Sequence, residues 1–268
     1  MTNITIETPE PIDLSNYFYV VDKLCKPVDV TDKLKEGETL SQFVSTFLKY
    51  LIKGAGCHWM IDSETLGLTT AHTLVQMAAV PFSPIGTGLY VTQFRGVNGI
   101  SLVHKANLDI KSQERLISAD TLNWWYEKNT SNIHLLQDGK TTLLEEILIL
   151  REFLNKDSEI WANSPSFDVE LLKNCFSQYQ PLVGDWPVSY RNEWDVRTAS
   201  KMAGINRAAL ERMYPECNRF WGMKEGTAHD ALNDCLTQVY QVQLAYRNLQ
   251  IGTKKTFKQT TESTSNES

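Results

Sequence analysis

The chain has 268 residues, 42% of them hydrophobic, and a formal net charge of −6 at pH 7. This length and hydrophobic content suffice to bury one substantial core, which excludes an intrinsically disordered chain and predicts one domain with appendages. The acidic balance disfavours a long basic groove for a polyanionic partner.

The cysteine pattern and the apolar runs predict a cytoplasmic protein. Five cysteines, an odd number without Cys-x-x-Cys spacing, favour neither a disulfide framework nor a zinc ribbon. The amino terminus lacks a basic start with a long apolar stretch, and no run approaches the roughly 18 apolar residues of a membrane span. We therefore expect neither secretion nor membrane insertion.

Residues 1–56 are interpreted as an N-terminal extension, with residues 1–15 extended around Pro9 and Pro11. Residues 39–53 have apolar side chains at helical spacing, which predicts an amphipathic helix. We expect its apolar stripe to pack against the domain, and the alternative is a surface for a protein partner. The stripe consists of Leu40, Phe43, Val44, Phe47, Leu48, Leu51 and Ile52.

Strand-like segments follow at about 58–62, 72–81 and 88–95, with Gly86 and Gly88 marking the turn between the last two. This pattern predicts an antiparallel meander.

Helical patterns near 120–128 and 141–155 precede a strand at 159–163, and this crossover predicts that the strand runs parallel to the first. The sequence thus predicts an α/β fold with a mixed sheet flanked by helices. Residues 252–268 form a polar segment that we expect to be a flexible tail. Further helices are predicted near 168–179, 196–204 and 228–250.

The first acidic pair, Asp62 and Glu64, ends an apolar run. Side chains two residues apart on a strand point to the same face, so both carboxylates can share one ion. Hard cations such as Mg²⁺ prefer oxygen ligands. The alternative is an ordinary acidic strand end, although a second strand-like run after Gly67 strengthens the metal-site interpretation.

Asp168 lies where a short strand gives way to an amphipathic helix, and Ser166 is the predicted cap of that helix. An acid in the first helical turn is also favoured by the helix dipole without any catalytic role.

His229 and Asp234 begin the last helix, with Thr227 as a predicted capping residue. Asp234 can point from the helix toward a metal, whereas His229 occupies the less regular start and can approach a water. The alternative is that Asp230 is the ligand and His229 a surface residue.

The order Asp-x-Glu, Asp, His-x-x-x-x-Asp resembles the DEDDh branch of the DnaQ-like 3′→5′ exonucleases. Further segments at 118–129, 161–168 and 194–198 are similar to the phage exodeoxyribonuclease A and mycobacterial ribonuclease AS group. The likeness covers residues 57–250, and residues 1–55 have no counterpart in it.

The resemblance implies a ribonuclease H-like mixed sheet of five strands over residues 57–251. It implies hydrolysis of single-stranded nucleic acid from the 3′ end to nucleoside 5′-monophosphates, with neutral His229 as the general base. Two Mg²⁺ ions, for which Mn²⁺ can substitute, would be held by Asp62, Glu64, Asp168 and Asp234.

Candidate substrate-binding residues are Thr65 and Leu66, which follow the first acids, and the aromatic residues Trp124 and Phe167. Leu66 would wedge against a base or pack beneath the sheet edge. Adjacent residues on a helix point about 100° apart, so Trp124 and Trp125 cannot both stack on one base, and one of them is expected in the core.

Several functions remain open at this stage. The phage-like relatives favour DNA, which we adopt, and the ribonuclease AS-like relatives favour RNA. The alternatives are a catalytically silent nucleic-acid-binding or adaptor protein and a ribonuclease H-like endonuclease or strand-transfer enzyme. The resemblance also implies a homodimer and a bacterial or phage-infected cell.

Overall fold

The computed structural model describes residues 12–55, 58–223 and 228–264. The expectation for residues 1–15 therefore falls largely outside the described residues. The strands are β1 (Phe18–Asp22), β2 (His58–Thr65), β3 (Leu74–Phe82), β4 (Thr92–Phe94), β5 (Val97–Asn107), β6 (Glu159–Ala162) and β7 (Glu193–Asp195). The helices are α1 (Leu40–Ala55), α2 (Ala119–Glu127), α3 (Leu135–Asp138), α4 (Leu143–Phe153), α5 (Asp168–Gln178), α6 (Gln180–Val183), α7 (Val196–Met202), α8 (Arg207–Trp221) and α9 (Ala231–Thr264).

The described strands form one mixed sheet in the order β1-β5-β3-β2-β6-β7, with β4 paired to β5. Strand β3 runs antiparallel to β2 and β5, whereas β6 runs parallel to β2 and β7. The prediction of a mixed α/β sheet with a parallel crossover is confirmed. The five strands β5, β3, β2, β6 and β7 form the ribonuclease H-like core.

The sheet has seven strands rather than the predicted five, because β1 and β4 are added beside β5. The third central strand was also misplaced, since it spans Val97–Asn107 and only Thr92–Phe94 is a strand within 88–95. Arg95 and Gly96 both have positive φ, 49° and 80°, in a two-residue hairpin between β4 and β5. Such turns match the twist of antiparallel strands. This turn separates β4 from β5, so the predicted strand at 88–95 ends at Phe94.

The N-terminal segment is part of the core rather than a helical appendage. Strand β1 pairs with β5 from Phe18 to Asp22. Most of the predicted stripe on α1 is buried, with Leu40 exposed at its first residue, and the ring of Phe47 stacks on Phe94 with 4.7 Å between centroids. Packing of the stripe against the domain is therefore confirmed for these buried residues, and a protein partner for residues 39–53 stays a prediction.

Alternation along β2 sends its side chains to two different layers. Trp59 and Ile61 pack with α1, α4 and α5, whereas Met60 packs with α9. Asp62 and Glu64 continue the Met60 face. The fold thus directs both carboxylates toward the beginning of α9, which packs across β2 and β3.

The last helix begins and ends later than the predicted 228–250, because α9 spans Ala231–Thr264. Its first turn is capped by Asp230, whose carboxylate accepts a hydrogen bond from the Asn233 N–H at 3.2 Å. Thr227, the predicted cap, lies outside the described residues. The helix continues through Gly252 into the segment that was expected to be a flexible tail. A glycine inside a helix costs only about 1 kcal/mol relative to alanine, so Gly252 does not end α9. No helix in the described part of the chain is long and apolar enough to cross a membrane.

Replacement of Phe47 by Ala tests whether α1 is part of the domain. Phe47 is fully buried, so removing its ring leaves a cavity and should lower the free energy of unfolding by about 3–5 kcal/mol. Urea denaturation of the full chain measures this change. The control is Lys49→Ala on the exposed face of α1, which should change stability by no more than about 0.5 kcal/mol. Equal stability of the two variants would contradict the packing.

Candidate active site

Asp62 and Glu64 occupy the carboxyl-terminal half of β2. The carboxylate of Asp62 accepts a hydrogen bond from the Gln238 amide on α9 at 2.7 Å. Glu64 is only 9% exposed. The two acids therefore lie between the sheet and α9, where solvent screens their charges poorly.

Asp168 is the first residue of α5 and is 6% exposed. Its carboxylate accepts a 2.7 Å hydrogen bond from the Ser63 hydroxyl, which fixes it beside the first acidic pair. The predicted cap was wrong, because Phe167 occupies the capping position and makes no side-chain capping bond. The Ser164 carbonyl accepts the Asp168 N–H at 3.0 Å instead, and the Ser166 hydroxyl lies 3.3 Å from that of Ser164.

His229 lies two residues before the start of α9 and has a left-handed backbone, with φ of 62°. Its N–H donates to the Asp234 carboxylate at 3.1 Å. The Asn132 amide donates to the carbonyls of Ala228 and His229, both at 2.9 Å. The imidazole packs edge-on against Trp124, with centroids 4.8 Å apart. These contacts hold a conformation that is unusual for a residue with a side chain.

The three sequence patches converge on one cleft of about 840 Å³. One ligand atom from each of Glu64, His229 and Asp234 lies within 4.8 Å of the others. The five predicted catalytic residues all line the cleft: Asp62, Glu64, Asp168, His229 and Asp234.

Burial and mutual repulsion make the charged state of these acids unfavourable. Burial, followed by the charges of Asp168 and Asp234, raises the pKa of Asp62 well above its usual range. The same causes raise the pKa of Glu64 to about 9. Burial raises the pKa of both Asp168 and Asp234 to about 6. Desolvation lowers the pKa of His229, which favours the neutral imidazole.

The donor set fits a hard divalent cation. Carboxylate oxygens are the ligands that Mg²⁺ and Mn²⁺ prefer, and a bound cation would offset the repulsion that raises these pKa values. Glu64 and Asp234 are close enough to share an ion.

Asp230 has a different role from the acids in the cleft. Its carboxylate forms a 2.6 Å ion pair with Lys105 of β5 and also caps α9. The alternative in which Asp230 replaces Asp234 as ligand is therefore disfavoured, because both of its oxygens are already engaged.

The predicted substrate-binding residues divide into two groups. Thr65, Trp124 and Phe167 line the cleft. Leu66 is 1% exposed and packs with the buried Trp125, which corresponds to the packing alternative rather than to a wedge. As expected, one of the adjacent tryptophans is in the core, and the Trp125 indole donates to the Thr65 carbonyl at 3.1 Å.

Sequence reasoning missed the side chains that position the acids. Ser63 and Asn132 carry no local signal, because their partners lie 105 and 97 residues away. The sequence could have indicated Gln238, because it follows Asp234 by four residues and therefore shares its helix face. Arg197 also lines the cleft. Its backbone N–H donates to the Asp195 carboxylate, which caps α7.

The mixed sheet and this arrangement of four acids and a histidine agree with the resemblance to the DEDDh class of DnaQ-like exonucleases. Residues 57–246 match the Rv2179c-like 3′-5′ exoribonuclease domain, which covers well over half of the chain. The chain therefore belongs to that family. No curated protein matches the sequence.

Several solved structures are similar to this chain. A zinc-bound complex of E. coli exonuclease I with single-stranded DNA is 17% identical, with a TM-score of 0.46 over 70% of this chain and 40% of that chain. The ribonuclease domain of yeast Pop2 is 11% identical, with a TM-score of 0.48 over 77% and 82%. S. pombe Pop2p, in a form bound to Mg²⁺ and Mn²⁺, is 11% identical, with a TM-score of 0.49 over 75% and 87%. The chain spans about two fifths of the exonuclease I chains.

Glu64→Gln should stabilise the metal-free protein, because it removes one of four acids that the fold forces together. The melting temperature at pH 8 in chelator should rise by a few degrees. Mg²⁺ or Mn²⁺ should raise the melting temperature of the wild type through preferential binding to the folded state, and this response should be largely lost in the variant. Glu36→Gln, at an exposed position, is the control and should change neither quantity. A destabilised Glu64→Gln protein would contradict the repulsion argument.

Proposed function

We propose that the protein hydrolyses single-stranded nucleic acid from its 3′ end and releases nucleoside 5′-monophosphates. The convergence of four carboxylates and one imidazole on a single cleft carries this proposal. A buried acidic cluster of this kind is destabilising unless cations neutralise it, and phosphodiester hydrolysis uses such cations.

Asp62, Glu64, Asp168 and Asp234 would hold two Mg²⁺ ions, with Mn²⁺ as a substitute. When bound, the ions supply positive charge that activates water and stabilises the leaving oxygen. The protein keeps the acids in place through hydrogen bonds from Ser63 to Asp168 and from Gln238 to Asp62.

His229 is the proposed general base. Desolvation lowers its pKa, so the imidazole is neutral near pH 7 and can accept a proton from the attacking water at a ring nitrogen. Asn132 and Asp234 fix its backbone, and Trp124 limits the positions that its ring can adopt.

The terminal nucleotide would be held by Thr65, Trp124 and Phe167. Trp124 is half-buried and lines the cleft, and a base stacked on such a ring gains about 1–3 kcal/mol. Few basic residues are needed when cations neutralise the reacting phosphate, which agrees with a net charge of −6.

RNA is the substrate that we propose, because the family is described as exoribonucleases. The DNA preference expected from the phage-like resemblance is the alternative to this proposal. Contact with the 2′-hydroxyl, which only RNA carries, is what distinguishes the two sugars. A homodimer also stays a prediction.

Matched 5′-labelled RNA and DNA strands of one sequence test the proposal. We expect a ladder of products shortened from the 3′ end, release of nucleoside 5′-monophosphates, faster degradation of RNA, and arrest by chelator. A circular strand should be resistant. Internal cleavage of the circle would indicate an endonuclease, and absence of turnover in Mg²⁺ and Mn²⁺ would contradict enzymatic function altogether.

His229→Ala should lower kcat by roughly 10²-fold or more, because the base is lost while the carboxylates remain. The melting-temperature response to Mg²⁺ should persist. Asn132→Ala should lower kcat less, with little change in KM, because Asn132 acts only through the position of His229. His134→Ala removes a histidine that does not line the cleft and should retain wild-type rates. Wild-type kcat in His229→Ala at saturating metal would refute its role as base.

A further inference from the structure

A second cavity of about 660 Å³ adjoins the active cleft. The two share Asn163, Arg197 and Gln241 as lining residues, so they are continuous. The second cavity lies beside α7 and the beginning of α8, and none of the predicted catalytic residues lines it.

The second cavity carries positive charge on a chain that is acidic overall. Arg197 and Lys201 both line it. They are four residues apart on α7 and therefore share one face of that helix. Both side chains are exposed to solvent. This local charge fits a phosphate, whereas the acidic cluster of the neighbouring cleft repels one without cations.

Buried polar groups also face this space. Ser200 is 3% exposed, and its hydroxyl has no hydrogen-bond partner among the described residues. Gln241 is 8% exposed and lines both cavities. A buried hydroxyl without a partner costs free energy that a bound ligand can recover.

Helix α9 connects the acidic cluster to the second cavity. Asp234, Gln238 and Gln241 recur at i, i+4 and i+7 and thus form one polar stripe. Gln238 donates to Asp62 in the active cleft, and Gln241 reaches the second cavity. One strand of nucleic acid can therefore follow the stripe from the reacting phosphate into the second cavity.

We propose that the second cavity is a subsite for the nucleotide next to the terminal one. Arg197 and Lys201 bind its phosphate, and the Gln241 amide and the Ser200 hydroxyl form hydrogen bonds with its base or sugar. This assignment rests on the proposed function, because it requires a polynucleotide in the adjoining cleft. It explains how an acidic protein holds more than one nucleotide without an extended basic surface.

Binding to a His229→Ala background tests the subsite without turnover. Titrations use a nucleoside 5′-monophosphate, a 5′-phosphorylated dinucleotide and a fluorescent hexanucleotide, each with Mg²⁺. Addition of Lys201→Gln should weaken dinucleotide and hexanucleotide binding by about fivefold while leaving the mononucleotide unchanged. The slope of log K against log salt for the hexanucleotide should decrease by about 0.7 for one lost phosphate contact.

The control is Lys49→Gln on α1, which lines neither cavity and should leave all three affinities unchanged. Gln241→Ala should reproduce the selective loss with an unchanged salt slope, because it removes an uncharged contact. Unchanged dinucleotide binding in both Lys201→Gln and Gln241→Ala would overturn the subsite, as would equal weakening of the mononucleotide. Failure of the proposed function appears separately, as absence of turnover in the wild-type chain.

Discussion

The structure depends on keeping four carboxylates close together in a site that is largely removed from water. Burial and mutual repulsion raise the pKa values of Asp62 and Glu64 the most. The free-energy cost of placing these acids together is opposed by the large apolar layers on both sides of β2. The acidic cluster therefore lowers the stability of the metal-free fold, and bound cations would offset this loss.

The surrounding contacts distribute that constraint over distant parts of the chain. Ser63 and Gln238 donate to two of the acids, while Asn132 holds the turn that carries His229. Lys105 neutralises Asp230 at the start of α9, so that a fifth carboxylate does not add its full charge to the cluster. The site is therefore as much a property of β5, α9 and the α2–α3 connection as of the residues that line it.

Positive charge for the phosphates of the substrate is also confined to a few places. Cations would neutralise the reacting phosphate in the acidic cleft. Arg197 and Lys201 of α7 would bind the phosphate of the neighbouring nucleotide in the second cavity. A net charge of −6 is compatible with nucleic-acid hydrolysis when positive charge is concentrated at two points rather than spread over a groove.

The sequence by itself determined β2 with its paired acids, the parallel crossover to β6, and the positions of Asp168 and Asp234, because these follow from local periodicity and chain order. Tertiary structure alone decided that β1 joins the sheet, that Leu66 is buried, and that Asp230 pairs with Lys105 across 125 residues. Such contacts join residues far apart in the chain, and no local pattern specifies which distant partner a side chain meets.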